Sequence, residues 1–178
     1  MFNENIDIRK AQETYAKNGW VTINDVLQRE AAEEIWRALV QDVPWELFYT
    51  RAREEATNLQ GPPELVTYSH DQLVGLSPEQ HEKITAEINL RASKWYAFKY
   101  YMYSLNKAES PALREFFEIL GSEKYYGLIR YISSDLNINS RSAIATCYKP
   151  SCFLKQHDDT GTENRRVTHI FGFTRGWQ

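Results

Sequence analysis

One stretch of the chain combines metal-binding residue types at a spacing that can bring them together. His157 and Asp159 lie two residues apart at the end of a predicted strand, and side chains two apart in a strand point to the same side. An imidazole and a carboxylate so placed supply two ligands of a 2-His-1-carboxylate site, which holds Fe(II) and leaves positions open for a co-substrate and O₂. The spacing alone also fits a commoner arrangement, a polar strand end that runs into an acidic loop containing Asp158.

Short strands near the end of the chain must position this pair. Apolar and β-branched residues predict strands over 143–148, 153–157 and 166–174, with a break at Pro150 and a polar loop over 158–164. Cys147 and Cys152 flank the break. Their spacing allows a disulfide or a metal-binding pair, but we expect two buried thiols on neighbouring strands.

Helices dominate the rest of the predicted structure. Apolar residues at helical spacing predict helices over 6–18, 29–41, 77–105, 110–120 and 123–132, and short strands are predicted over 20–23, 45–50 and 65–68. The aromatic face of the 77–105 helix would consist of Trp95, Phe98, Tyr101 and Met102. We expect one α+β domain over 1–178, with a mainly helical part at 1–139 and the first strands of a barrel at 140–178.

Composition and charge exclude several classes of function. Apolar residues make up 42% and charged residues 25% of the 178-residue chain, as in a globular domain rather than a disordered one. The formal net charge of −3 provides no concentrated basic surface, so nucleic acid is not an expected partner. No apolar run approaches the roughly 20 residues that a bilayer requires, and the polar N-terminus lacks a signal-peptide pattern. We therefore expect a cytoplasmic protein without membrane contact.

The C-terminal stretch resembles the Fe(II)/2-oxoglutarate-dependent dioxygenases of the prolyl-hydroxylase type. The shared pattern is a tyrosine-bearing strand, a Pro turn, Phe-Leu, His-x-Asp and Arg-x-x-Thr, represented here by Tyr148, Pro150, Phe153, Leu154, His157, Asp159, Arg165 and Thr168. Residues 173–177 continue the pattern, and segments 19–27 and 44–45 are similar to the bacterial members. The resemblance covers most of the chain, and its specific part lies between Ala145 and Trp177.

This resemblance implies a site and its cofactors. His157 and Asp159 match the first two iron ligands, and Tyr148 matches a tyrosine that lines the 2-oxoglutarate pocket, although a role as a core aromatic is equally supported. The implied cofactors are Fe(II) and the co-substrate 2-oxoglutarate, with ascorbate as an additional candidate. The implied reaction is the hydroxylation of a C–H bond in a peptide or an amino acid.

Three further positions refine the comparison. Arg165 and Thr168 match the Arg-x-x-Thr pattern and are expected to be structural. Gly172 departs from the family, which often has an aromatic residue near this position in contact with the co-substrate. His169 follows Asp159 on the next predicted strand, where the family has no ligand, so we do not expect His169 to bind the metal.

The resemblance also implies a fold that the chain does not complete. The family fold is a double-stranded β-helix of jelly-roll or cupin type, with N-terminal helices packed on it. The second histidine ligand and the arginine that binds 2-oxoglutarate lie on late strands, which at ordinary strand and loop lengths need about 55 more residues. We therefore expect a truncated oxygenase, inactive as this chain. The alternative is a non-catalytic fragment or pseudoenzyme that acts through protein contacts.

An unfinished sheet predicts self-association. The predicted strands place Ile144, Phe153, Ile170 and Phe171 on inner faces that lack facing strands, and unpaired strand edges are templates for association. We expect a homodimer in which the C-terminal strands of two copies pack across a two-fold axis.

Overall fold

The structure, a computed structural model, describes residues 1–51, 64–94, 96–157 and 165–174. The helices are α1 (Ile8–Asn18), α2 (Arg29–Gln41), α3 (His70–Val74), α4 (Pro78–Lys94), α5 (Pro111–Leu120) and α6 (Glu123–Ser133), with a 3₁₀ turn at Leu105–Lys107. The strands are β1 (Glu46–Arg51), β2 (Glu64–Tyr68), β3 (Phe98–Ser104), β4 (Ile144–Cys147) and β5 (Phe153–Leu154). Because the chain combines helices with strands that pair in antiparallel fashion, the predicted α+β class is confirmed.

The chain divides into two compact units. The helical unit consists of residues 1–43 and 105–143 together with the described residues 165–174. The sheet unit consists of the described residues of 44–104 and of 144–157. Within the described residues, no helix is long and apolar enough to cross a membrane.

The helical unit is built from two helix pairs, α1 with α6 and α2 with α5. Helix α1 begins at Asp7, whose carboxylate accepts a hydrogen bond from the Lys10 N–H, and ends at Gly19 in the left-handed region with φ of 76°. Helix α6 begins at Ser122, whose hydroxyl accepts from the Tyr125 N–H. The predicted helices over 6–18, 29–41, 110–120 and 123–132 are confirmed.

The short strand predicted over 20–23 is wrong. This segment forms no strand with the described residues, and 65% of Trp20 is exposed. The residues have high strand propensity, but a strand forms only where another segment supplies hydrogen-bonding partners. The nearest regular pairing is an isolated bridge between Phe2 and Leu27.

The sheet unit is an antiparallel sheet in the order β2-β1-β3-β4, with β5 also paired to β3. Alternation along β1 separates its two faces: Leu47 and Tyr49 pack against Ile84 and Ile88 of α4. We call this side of the sheet the helix-covered face. Both helices of the sheet unit, α3 and α4, pack on it.

The opposite side of the sheet is rich in aromatic rings. We call it the aromatic face and define it by Phe48, Tyr96, Phe98, Tyr100 and Tyr148, whose rings contact one another. The strand register places three exposed apolar residues on the same side, Leu65, Ile144 and Leu154.

The helix predicted over 77–105 is only partly correct. Helix α4 begins as predicted, with reciprocal hydrogen bonds between Ser77 and Gln80 that form a capping box. It ends at Lys94, and Phe98–Ser104 is the central strand β3. Because four of the seven residues of β3 are aromatic, they satisfy both helical and strand spacing, and pairing with β1 decides in favour of the strand. Trp95, the first residue of the predicted aromatic face, lies outside the described residues.

The third C-terminal strand, predicted over 166–174, is also wrong. Residues 165–174 form no strand with other described residues. The side chains nevertheless alternate: Phe171 and Phe173 contact the ring of Phe116 on α5, whereas Ile170 is 84% exposed. The segment therefore has the side-chain pattern of a strand without a hydrogen-bonded neighbour among the described residues.

Candidate metal and co-substrate site

Two strands of the sheet unit place the predicted site residues along one edge. Strands β4 and β5 both pair with β3, so that Cys147 lies opposite Tyr101 and Phe153 lies opposite Lys99. Residues 148–152, which connect β4 to β5, are not paired with β3, and pairing resumes at Phe153. Consequently, β4 and β5 are two parts of one interrupted edge strand.

A tight turn forms this interruption. The Cys152 N–H donates to the Lys149 carbonyl at 2.9 Å, and Ser151 has a φ of 70°. Pro150 occupies the second position of the turn, where proline is favoured, and a positive φ at the third position is the mark of a type II turn. The expectation of buried cysteines on neighbouring strands is thus wrong: Cys147 and Cys152 are half-buried and flank a turn in a single edge.

One hydrogen bond defines the tautomer of the His157 ring. The residue is exposed, and its Nδ1 lies 3.1 Å from the Lys155 carbonyl oxygen. Because a carbonyl only accepts hydrogen bonds, the neutral imidazole carries its proton on Nδ1 and its lone pair on Nε2. Metal-binding histidines commonly donate their other ring N–H to a backbone carbonyl or a carboxylate in this way. The tautomer of His157 is therefore compatible with metal ligation through Nε2.

The backbone leading to His157 is attached to the sheet unit at two points. The Lys155 N–H donates to the Ala97 carbonyl at 3.3 Å, and the Lys155 ammonium donates to the Ala92 carbonyl at 2.8 Å. The second bond lies near the C-terminal end of α4, where exposed carbonyls favour cations. These bonds fix the segment immediately before His157.

Tyr148 lies on the aromatic face directly after β4. Its side chain is about half exposed at 49%, and its ring centroid lies 5.6 Å from that of Tyr100. Partial burial, together with the nearby Cys152 thiol, raises the pKa of the Tyr148 phenol. The hydroxyl is therefore protonated at neutral pH and can donate a hydrogen bond to a carboxylate.

A continuous row of rings connects Tyr148 with His157. The centroid distances along the row are 5.6 Å from Tyr148 to Tyr100, 5.2 Å from Tyr100 to Phe98, 5.9 Å from Phe98 to Tyr96 and 5.7 Å from Tyr96 to His157. Such separations are typical of packed aromatic pairs. The predicted co-substrate residue and the predicted metal ligand thus lie at two ends of the same row. Sequence reasoning missed the row because it assigned Phe98 to a helix.

The carboxylate of the predicted site is not placed by the structure. Asp159 and its neighbour Asp158 lie outside the described residues. Among residues 1–51, 64–94, 96–157 and 165–174, no three His, Cys, Asp or Glu side chains are grouped closely enough to hold a metal ion. The described site therefore consists of His157, Tyr148 and the rings between them.

His169 lies in the helical unit and has a partner that the sequence did not predict. Its Nδ1 is hydrogen-bonded to the Tyr125 hydroxyl, and the His169 ring stacks on that of Phe171 with a centroid distance of 4.2 Å. Thr168 and Gly172, on either side, are exposed. The only sequence signal for this arrangement is the alternation of apolar and aromatic residues over 167–173.

Comparisons with known proteins found no similar protein: no family model matches the chain, and neither a curated protein nor a solved structure is significantly similar to it.

Proposed function

We propose that this chain supplies His157 and Asp159 as iron ligands of an Fe(II)/2-oxoglutarate-dependent oxygenase that hydroxylates a C–H bond of a peptide or an amino acid. The proposal rests on the resemblance of residues 145–177 to the prolyl-hydroxylase type. The structural observation that supports it is the hydrogen bond from His157 Nδ1 to the Lys155 carbonyl. In the neutral imidazole this bond places the ring lone pair on Nε2, the atom that we assign to the metal ion.

The chemistry of His157 fits Fe(II) as the proposed metal. His157 offers a neutral nitrogen donor, which suits Fe(II), and Asp159 would add the hard oxygen donor that follows two residues later. When bound, Fe(II) and 2-oxoglutarate would together activate O₂, which is the oxidant in C–H hydroxylation. The part of this chain is to hold the metal through His157 and Asp159 and to orient the co-substrate.

Tyr148 is the residue that we assign to 2-oxoglutarate. Its phenol is protonated at neutral pH and half exposed on the aromatic face, so it can donate to a carboxylate of the co-substrate. The row of rings from Tyr148 to His157 forms an aromatic surface between the two groups. In this proposal the aromatic face is the inner wall of a jelly-roll or cupin-like barrel in a cytoplasmic enzyme.

Metal titration tests this proposal without requiring turnover. Co(II) added under anaerobic conditions should bind weakly, because two identified protein ligands fall short of the three that define the family site. His157→Ala and Asp159→Ala should each weaken binding by about tenfold or more, in the range that loss of groups supporting a metal site produces. His81→Ala, which removes an exposed histidine of α4, is the matched control and should leave the affinity unchanged. Equal affinity of the wild type and His157→Ala would refute the metal assignment.

A second candidate function, association through protein contacts, is favoured by the apolar surface of the sheet unit. Leu65, Ile144 and Leu154 are exposed by 60%, 48% and 39% on the aromatic face, with Leu154 opposite Phe98 and Ile144 opposite Ser104 at the two ends of β3. Extensive exposed apolar surface is a feature of interaction sites. We propose a homodimer that uses this face together with the β4–β5 edge, as a non-catalytic fragment would. No helix of the described sheet unit packs on that face.

Light scattering tests the homodimer. The wild type should have about twice the chain mass of 20.9 kDa, and Ile144→Glu should shift the equilibrium to the monomer, because a charge at the interface would lose its hydration. Val74→Glu, at an apolar position of α3 that is 75% exposed, is the control and should not change the mass. A wild-type monomer at all concentrations would exclude this function and would leave the metal assignment untouched.

A further inference from the structure

The two cysteines of the chain lie at the two ends of the interruption between β4 and β5. Cys147 pairs with Tyr101, and Cys152 immediately precedes Phe153, which pairs with Lys99. Positions 101 and 99 are two residues apart along β3, and consecutive Cα atoms are about 3.8 Å apart. The chain therefore leaves β3 at one cysteine and returns to it at the other within a span of a few ångströms.

The turn between the cysteines folds back on the strand it has left. The Cys152 N–H donates to the Lys149 carbonyl at 2.9 Å, and the Lys149 ammonium lies 4.3 Å from the ring centroid of Tyr101. On the other side of the turn, the Lys99 ammonium donates to the Ser151 hydroxyl at 3.1 Å. These contacts hold the turn against β3 beside Tyr101 and Lys99.

The electrostatic environment also places the two thiols near one another. Burial raises the pKa of Tyr101, and Cys152 and Cys147 both contribute to the shift. Burial likewise raises the pKa of the Cys147 thiol, with a smaller contribution from Cys152. Both cysteines are free and half-buried, so neither is sealed from a small oxidant.

We propose that Cys147 and Cys152 form a redox-active dithiol, which hydrogen peroxide converts into an intramolecular disulfide across the turn. Native disulfides join Cα atoms about 4.4–6.8 Å apart, and we infer from the strand register and the closed turn that the two cysteines lie at a separation that a disulfide can bridge. This modification site is independent of the metal site proposed for His157.

The reaction takes place in two balanced steps. The Cys152 thiolate attacks one oxygen of the peroxide and the O–O bond breaks, which gives a sulfenic acid on Cys152. The released hydroxide takes a proton and becomes a water molecule. The Cys147 sulfur then attacks the Cys152 sulfur, the S–O bond breaks, and the leaving hydroxide takes the Cys147 proton as a second water. The two thiols lose two electrons, and one peroxide is reduced to two water molecules.

The order of attack follows from the environments of the thiols. The thiolate is the reactive form, and access to the oxidant influences which thiol reacts first. Cys147 is the last residue of β4 and pairs with Tyr101, whereas Cys152 lies in the turn before β5. We therefore assign Cys152 as the attacking thiol and Cys147 as the resolving thiol. The disulfide closes residues 147–152, which include Tyr148, into a covalent ring.

Intact mass and thiol counting test the proposal. After one equivalent of hydrogen peroxide, the reduced, folded wild type should lose both thiols and about 2 Da, the two hydrogens that disulfide formation removes. It should remain monomeric in mass on a non-reducing gel, and dithiothreitol should restore both thiols. Two remaining thiols, or thiol loss only through chains cross-linked to one another, would overturn the proposal.

Trapping of the sulfenic acid with dimedone tests the assigned roles. Cys147→Ser, which lacks the resolving thiol, should accumulate a dimedone adduct on Cys152, whereas Cys152→Ser and the wild type should not. As a control for the fold, the wild type unfolded in urea should form the disulfide more slowly than the folded chain. Equal rates in the folded and unfolded chain, or an equal adduct in the wild type and Cys147→Ser, would contradict the proposal.

Discussion

A hydrogen bond joins the Tyr125 hydroxyl to Nδ1 of His169, and the two rings lie almost parallel with centroids 5.9 Å apart. Tyr125 is a buried residue of α6, and burial raises the pKa of its phenol, so the hydroxyl stays protonated at physiological pH. His169 is exposed as a whole residue, yet its ring is crowded by Tyr125 and Phe171, and this burial lowers its pKa. Burial of the ring therefore favours the neutral imidazole.

The stability of the folded chain should therefore depend on the charge of His169. The pKa of its imidazole is below the ordinary value of 6.5 in the folded state, so the unfolded chain takes up the proton more readily. This contribution to stability is complete above pH 6.5 and is lost as the pH falls towards the lower folded pKa. Urea unfolding at pH 7.5 and pH 5.5 should show a lower free energy of unfolding at pH 5.5. In His169→Phe, which retains an aromatic ring but does not titrate, this decrease should be smaller. An unchanged decrease would show that other groups cause it.

Gly121 should be intolerant of a side chain. A Cβ atom at this position would lie 1.7 Å from a guanidinium nitrogen of Arg141, whose guanidinium also lies 3.9 Å from the ring centroid of Phe117. Gly121→Ala should displace Arg141 and lower the free energy of unfolding by about 1 kcal/mol, the scale of a lost cation–π contact.

Gly127 provides the matched control for this substitution. It lies inside α6, and a Cβ atom there would meet nothing within 4 Å. Gly127→Ala should raise the free energy of unfolding by about 0.5–1 kcal/mol, because alanine favours the helix. Changes of the same sign for the two glycines, measured by urea unfolding, would contradict the packing of Arg141 on the end of α5.

The start of β3 depends on one buried hydroxyl. Thr50 is completely buried, and its Oγ1 accepts the Phe98 N–H at 3.2 Å. Thr50→Val keeps the shape but leaves this N–H without its acceptor, so the free energy of unfolding should fall by about 1–3 kcal/mol. Thr146→Val, at an exposed position on β4, should change it by less than about 0.5 kcal/mol. Similar effects of both substitutions on the free energy of unfolding would show that the hydrogen bond between Thr50 and Phe98 does not stabilise the fold.

The helices were predictable from the sequence where local signals agree. Asp7, Ser77 and Ser122 are side-chain caps at the predicted starts, and apolar residues at helical spacing follow them. The central strand β3 was not predictable in this way, since its run of aromatic residues fits either period and its strand form depends on pairing with β1. For the same reason the strand expected over 166–174 failed: its side chains pack on Phe116, but its backbone has no paired neighbour among the described residues.

The candidate site was predictable only in part. The sequence identified His157 and Tyr148 through their spacing and family resemblance, but it could not show that both flank one interrupted edge of β3. The hydrogen bond that sets the tautomer of His157 depends on the local fold after β5, which no residue pattern specifies.

The purified chain alone should not turn over 2-oxoglutarate. With Fe(II), 2-oxoglutarate and ascorbate, the purified chain should release no more succinate than His157→Ala does. In the proposed site, His157 and Asp159 would supply two ligands, whereas a 2-His-1-carboxylate site needs three, and no arginine is assigned to the co-substrate. Succinate that depends on Fe(II) and on His157 would show that a further residue completes the site.

The central claim, that Nε2 of His157 binds a metal ion, is tested most directly by imidazole NMR with substoichiometric Mn(II). The chain has four histidines, so each ring can be assigned by substitution. Before metal is added, His157 should show the tautomer with the proton on Nδ1, as its bond to the Lys155 carbonyl requires. Mn(II) should then broaden the His157 signals first, while those of His70, His81 and His169 persist. Uniform broadening of all four rings, or earlier loss of a ring other than His157, would contradict the assignment.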